Sequence, residues 1–268
     1  MKFNQCLTRF ESRVIDHGKV MSSLRTAYIR FKSYLPELLR EALSAVNQRL
    51  FARQTLQRKY GGWFEVDWRK KFRTLTNEEW KRAYDEAWKH RGNDCVEETD
   101  AKLIITALGE RGSVLEVGAG AGTLAIRLAK EGFQVTGLDV SSEALGQASA
   151  RARKEGIAIE WKQGFAEELP FPDKSFDYVT CCHTLEHVKD LAKATSELKR
   201  VARRKVIILT PKQEFRLYAE NYHTQFFERA EQLTSAFGLK YCECTEIDCL
   251  DHRNEFQGKA FLYVGFFS

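Results

Sequence analysis

The sequence predicts an α/β fold: a mostly parallel sheet covered by helices on both faces, preceded by a helical N-terminal extension. Three observations carry this. From residue 112 onward, short apolar runs alternate with stretches of helical period, the pattern of strand, crossover helix and strand. Val114-Leu115-Glu116-Val117 runs into Gly118-Ala119-Gly120-Ala121-Gly122 and then into Leu124, Ala125, Leu128 and Ala129 at helical spacing, which reads as strand, tight turn and helix. Residues 5–58, by contrast, are nearly free of Gly and Pro. They hold apolar residues at Val20, Leu24, Tyr28, Phe31 and Leu35, and again at Leu38, Leu39, Ala42, Leu43, Val46 and Leu50, a helical stripe broken or kinked at Pro36.

Length and composition bound the reading. The 268 residues, 43% hydrophobic and 29% charged, suit one sizeable globular domain with an appendage. No apolar run approaches the roughly 20 residues that span a bilayer, and Met1-Lys2-Phe3-Asn4-Gln5 does not open a signal peptide, so a cytoplasmic location is expected. Seven cysteines, odd in number and without a C-x-x-C, are expected to be reduced thiols. Residues 1–91 carry 20 Lys and Arg against 10 Asp and Glu, a net of +10, so the remainder is net −5. Such a basic segment offers a surface for RNA or an anionic membrane, or serves as a lid.

The elements follow in order. Gly61-Gly62 ends the basic section, and Trp63 to Trp68 form an aromatic link. Thr76-Asn77-Glu78-Glu79 is a capping box that opens a helix through about His90, with Tyr84 and Trp88 on one face. Asp94–Asp100 is a polar connector, and Ala101–Leu108 is a short helix closed by Gly109. Strands are expected near 113–117, 134–139, 157–163, 177–182, 204–210, 240–248 and 258–267, with helices near 122–131, 142–155, 186–201 and 225–237. Alternation at Cys242, Cys244 and Ile247, then at Ala260, Leu262 and Val264, marks the last two strands as an antiparallel edge pair. The domain division is 1–92 for the basic helical extension or lid and 93–268 for the α/β domain.

The glycine turn carries the chemistry. Its spacing, Glu116-x-Gly118-x-Gly120-x-Gly122, is not the G-x-G-x-x-G of dinucleotide folds. Glycines here allow a ligand close to the main chain, and the following helix N-terminus faces it. The second strand ends in Asp139, 21 residues after Gly118, where an ionised, acceptor-only carboxylate can take both hydroxyls of a ribose. Then come Gly164-Phe165-Ala166-Glu167-Glu168-Leu169-Pro170-Phe171, the run from Phe176 to Val188 containing Cys181-Cys182-His183-Thr184-Leu185-Glu186-His187, and later Asn221-Tyr222-His223.

Taken together these motifs resemble the class I S-adenosylmethionine (SAM) dependent methyltransferases of the type 11 group, over about residues 95–268. The resemblance implies a Rossmann-like sheet of seven strands with the last pair antiparallel, and SAM as cofactor. It implies cofactor contacts from Glu116, Gly118, Ala119, Gly120, Gly122, Asp139, Val140, Phe165, Ala166, Cys182 and His183. Phe165 stands where the family has an acid for the adenine amino group, so adenine recognition would pass to main-chain groups at Phe165 and Ala166. His187, His223 and His183 are the candidate catalytic groups, imidazole being a base that titrates near neutrality.

A weaker local resemblance, to methyltransferases acting on the 3′-end ribose of small RNAs, comes from H-x-x-E-H at His183, Glu186 and His187 together with His223. Those enzymes hold a divalent metal on E-x-x-E-H and a later His. His183 replaces their first glutamate, and no metal is expected here. Cys242, Cys244, Cys249 and His252 could make a zinc site, but strand alternation accounts for the first two. Cys181 and Cys182 read as buried, inert thiols. The expected acceptor is a small molecule or lipid-linked compound methylated on O or N. RNA bound through the basic segment is the alternative, and a non-catalytic SAM-binding protein the third. Oligomeric state is not set by the sequence.

Overall fold

In the computed structural model the described residues are 67–89, 96–217, 221–249 and 258–267, all within a compact unit of residues 56–268. The basic helices expected over 5–58, the link at 63–66, the 92/93 boundary and His252 lie outside the described residues. Two helical pieces come first: α1 (Trp68–Lys71) with a 3-10 turn at Phe72–Thr74, and α2 (Asn77–Lys89). The capping box at the start of α2 is formed, with Glu79 N–H donating to Thr76 Oγ1 at 3.2 Å and Thr76 N–H donating to Glu79 Oε2 at 2.8 Å.

After α3 (Glu98–Leu108) the chain alternates as the sequence predicts: β1 (Ser113–Val117), α4 (Thr123–Lys130), β2 (Gln134–Asp139), α5 (Ser142–Lys154), β3 (Glu160–Gln163), β4 (Phe176–Cys182), α6 (Leu191–Val201), β5 (Ala202–Pro211), α7 (Ala230–Phe237), β6 (Tyr241–Asp248) and β7 (Lys259–Phe266). The seven strands lie in the order β3-β2-β1-β4-β5-β7-β6. All pairs are parallel except those of β7 with β5 and β6. One apolar cluster, including Leu115, Val179, Val206 and Phe237, and another, including Ile104, Leu124, Leu128 and Ile207, form the core. Strand β1 contributes to both through Leu115 and Val114, as alternating side chains of a doubly covered strand must.

Two expected helices start later than the periodicity suggests. Leu185–His187 is only a 3-10 turn and Val188 is extended; α6 begins at Leu191, because the Asp190 side chain caps it by accepting the Lys193 N–H. Likewise α7 begins at Ala230, since Thr224 and Gln225 spend their N–H groups, and Thr224 its hydroxyl, on the 186–188 turn. Both departures put irregular chain at the carboxyl ends of β4 and β5, where a parallel sheet opens its crevice.

Candidate active site

The glycine turn joins β1 to α4. Gly118 and Gly122 have φ of 78° and 80°, a region costly for other residues. Space forbids a side chain too: a Cβ on Gly118 would collide with Thr184, and one on Gly122 would stand 2.9 Å from both Ala148 Cβ and Trp161 Cη2. The main-chain N–H groups of Gly118 and Ala119 donate to Leu138 O at 2.7 and 2.9 Å, which pins the turn to the end of β2.

Asp139, the last residue of β2, reaches into that turn. Its Oδ2 accepts Gly120 N–H at 2.9 Å and its Oδ1 accepts Ser141 N–H at 2.9 Å. Burial pushes its carboxyl up to about 6 against those two bonds, and the Asp85 carboxylate pushes the same way. Asp85 belongs to α2 yet caps α5, accepting Ser141 Oγ–H at 2.6 Å and Glu143 N–H at 3.1 Å. Helix α2 is thereby clasped to the residue pair that holds the acid.

The residues expected to hold the cofactor lie at the carboxyl ends of four neighbouring strands: Glu116 on β1, Asp139 on β2, Phe165 and Ala166 beyond β3, and Cys182 on β4. Gly164 N–H donates to Asp139 O at 3.0 Å, so the Phe165 segment is tied to the acid. Val140 and Phe165 pack against the aromatic group of Trp68, Trp80 and Tyr222. The donor set suits a nucleoside: a carboxylate aimed by two main-chain donors keeps lone pairs for a vicinal diol, beside a turn of glycines and alanines alone. Cys181 and Cys182 are buried, and burial holds both thiols well above their ordinary range, which disfavours the nucleophilic thiolate.

His183 departs from the sequence expectation. It takes the left-handed conformation, φ 49°, and its ring lies between two buried carboxylates, with Nε2 3.6 Å from Asp100 Oδ2 and Nδ1 3.8 Å from Glu186 Oε1. Burial opposes a charge on this ring, but the two carboxylates outweigh it and raise the imidazole to about 10. Glu186, although burial pushes it up, is held below the usual carboxylate range by His183 and His187. An imidazolium has no lone pair to offer as a base or a ligand. His183 is therefore the cation of a buried triad, and Asp100 is the partner that sequence reading missed. Asp100 is oriented by its place in a second capping box, accepting Glu97 N–H at 3.0 Å.

The other two histidines do meet. Thr224 and Gln225 donate their N–H groups to Glu186 O at 2.7 and 3.0 Å, and Thr224 Oγ donates to Val188 O at 2.6 Å. These bonds lay the 221–225 segment against the 186–188 turn, so the rings of His187 and His223 stand edge to face with centroids 4.7 Å apart. Trp68 Nε1–H donates to Tyr222 O at 2.8 Å, and Arg69 donates to Asn221 Oδ1, which also accepts His223 N–H at 3.2 Å. Tyr84 of α2 meets His187 edge-on at 5.9 Å. Glu186, His187 and His223 each offer one ligand atom within 4.8 Å of the others, a set a divalent ion could bridge. Of the four residues singled out for metal, His183 alone faces away to Asp100.

Cys242 and Cys244 lie along β6, packed on one core cluster, while Cys249 packs on the other. That division follows the strand alternation expected for them and separates Cys249 from the pair.

Residues 115–210 match a family model described as a methyltransferase domain. The chain is 40% identical over 89 residues to the uncharacterized methyltransferase YcgJ of Bacillus subtilis (strain 168), covering 33% of this chain and 35% of that one. It is 46% identical over 78 residues to a ubiquinone biosynthesis O-methyltransferase of Salmonella paratyphi A, covering 29% and 32%. With a demethylmenaquinone methyltransferase of Chlorobaculum tepidum it shares 43% over 95 residues, covering 35% and 38%. The matches thus span about a third of these relatives' length. The crystal structure of YcgJ superimposes with a TM-score of 0.50 at 22% identity, covering 63% of this chain and 98% of that one, which shows a common fold.

Proposed function

We propose, from the match of residues 115–210 to a methyltransferase-domain family model, that this chain is a class I SAM-dependent methyltransferase that methylates an O or N atom of a small-molecule or lipid-linked acceptor in the cytoplasm. The observation that carries the reading is the Asp139 carboxylate held against the glycine turn at the carboxyl edge of the sheet. SAM supplies an activated methyl group, so this chain's own task is alignment and, for an O–H or N–H acceptor, removal of a proton. His223 and His187 are the groups for the proton. His223 is 7% exposed and His187 half-buried, and they stand where β4 and β5 end. The Asp100–His183–Glu186 triad fixes the turn that presents His187. Two relatives are named for quinone compounds, which favours a ring-bearing acceptor as the first to test.

A second reading is favoured by the convergence of Glu186, His187 and His223: a divalent metal on those three groups, with RNA as the acceptor. One experiment separates the two. Methyl transfer from labelled SAM is followed with a panel of catechols and quinols, and with short RNA duplexes, before and after chelation. Under the proposal quinol-type acceptors are methylated, chelator has no effect, and His223→Ala lowers turnover by about 10²- to 10⁴-fold. Chelator-sensitive transfer restored by added metal would replace the proposal with the second reading.

A further inference from the structure

Gln213 is not accounted for by cofactor binding or by the core. It follows the end of β5, its N–H donates to Phe227 O at 2.8 Å, and its side chain is buried, 4% exposed. Its Oε1 lies 2.5 Å from His223 Nδ1. Its Nε2 is buried and has no hydrogen-bond partner, so among the described residues His223 is the side chain that orients this amide. A carbonyl oxygen can only accept, so Nδ1 must carry the proton in this contact. The lone pair of the neutral ring is then confined to Nε2.

We propose that Gln213 is a positioning residue that locks His223 as the Nδ1–H tautomer and so presents Nε2 as the site's proton acceptor. The inference rests on the reading of His223 as a base. Three features of the fold support the lock. The backbone on both sides of the contact is fixed, Gln213 by Phe227 and His223 by Asn221 Oδ1. His223 is held edge-to-face by His187, so its ring cannot turn over without displacing a neighbour. The donor half of the Gln213 amide is left for an oxygen of the bound acceptor, since a buried amide N–H without a partner is costly unless a ligand supplies one.

The test is the ring-nitrogen spectrum of His223 in protein carrying 15N-histidine, assigned by the loss of its signals in His223→Ala. Wild type is expected to show a protonated Nδ1 and a bare Nε2 at a pH where the ring is neutral. Gln213→Met, close in volume but without the carbonyl, should lose that preference and lower turnover at least about tenfold, less than the roughly 10²- to 10⁴-fold lost with the base itself. Gln213→Glu keeps an acceptor for Nδ1–H and should keep the tautomer, which also controls for a folding defect in the Met variant. An Nε2–H ring in wild type, or an unchanged spectrum in Gln213→Met, would overturn the inference. His223→Ala separates it from the functional reading: full turnover there removes the base role, while the spectra still decide the hydrogen bond.

Discussion

The acid at the end of β2 gives the sharpest expectation. Burial raises the Asp139 carboxyl to about 6, from an ordinary value of 3.8. Its folded pKa is raised, so its stabilising contribution is fully present below about 3.8 and is lost as pH rises through about 6. That rise corresponds to about 3 kcal/mol, the cost of keeping a buried carboxylate ionised beyond what the turn amides offset. Ribose hydroxyls need the ionised form as acceptor, so SAM affinity should run the opposite way. It should be level above pH 7 and weaken about tenfold between pH 7 and 5, as the ionised fraction falls from roughly nine-tenths to one-tenth. Titration calorimetry at half-unit steps would trace this. Asp139→Ala should bind at least about tenfold more weakly, from lost charged hydrogen bonds of about 1.5 to 3 kcal/mol each, and should lose this pH dependence. Asp85→Asn removes the neighbouring charge that helps raise Asp139, so the midpoint should move to lower pH. Wild-type affinity that is flat from pH 5 to 7.5, or Asp139→Ala binding as tightly as wild type, would refute the reasoning.

Two further expectations concern stability. His183, raised to about 10 between Asp100 and Glu186, contributes stability that is fully present below about 6.5 and lost as pH rises through about 10; urea denaturation should show a loss of several kcal/mol over that window. His183→Asn, which tolerates the left-handed backbone, should be less stable at pH 7 by about 3 to 5 kcal/mol, and its pH slope should be flatter. Gly122→Ala combines a φ of 80° with contacts of 2.9 Å to Ala148 and Trp161, so a loss of about 2 to 4 kcal/mol in the same assay is expected.

The sequence by itself determined the sheet and the glycine turn at its carboxyl edge. A strand-turn-helix pattern is a local property, readable from Val114 to Ala129, and an acid at the end of the next strand is fixed by the same periodicity. Their meeting, Gly120 N–H on Asp139 Oδ2, follows once β1 and β2 pair in parallel register. The division of the histidines could not be read that way. His183, Glu186 and His187 are near neighbours in sequence, and nothing local says which ring turns outward. That was decided by Asp100, brought to His183 from a helix 83 residues earlier, and by the left-handed turn after β4. Nor does any spacing announce that Asp85 caps α5 across 56 residues, or that Gln213 meets His223. These are contacts between polar side chains on different elements, and their energy depends on burial and on the charge of the partner. Only the packed structure supplies both, which is why the strands were legible in advance and the protonation states of the site were not.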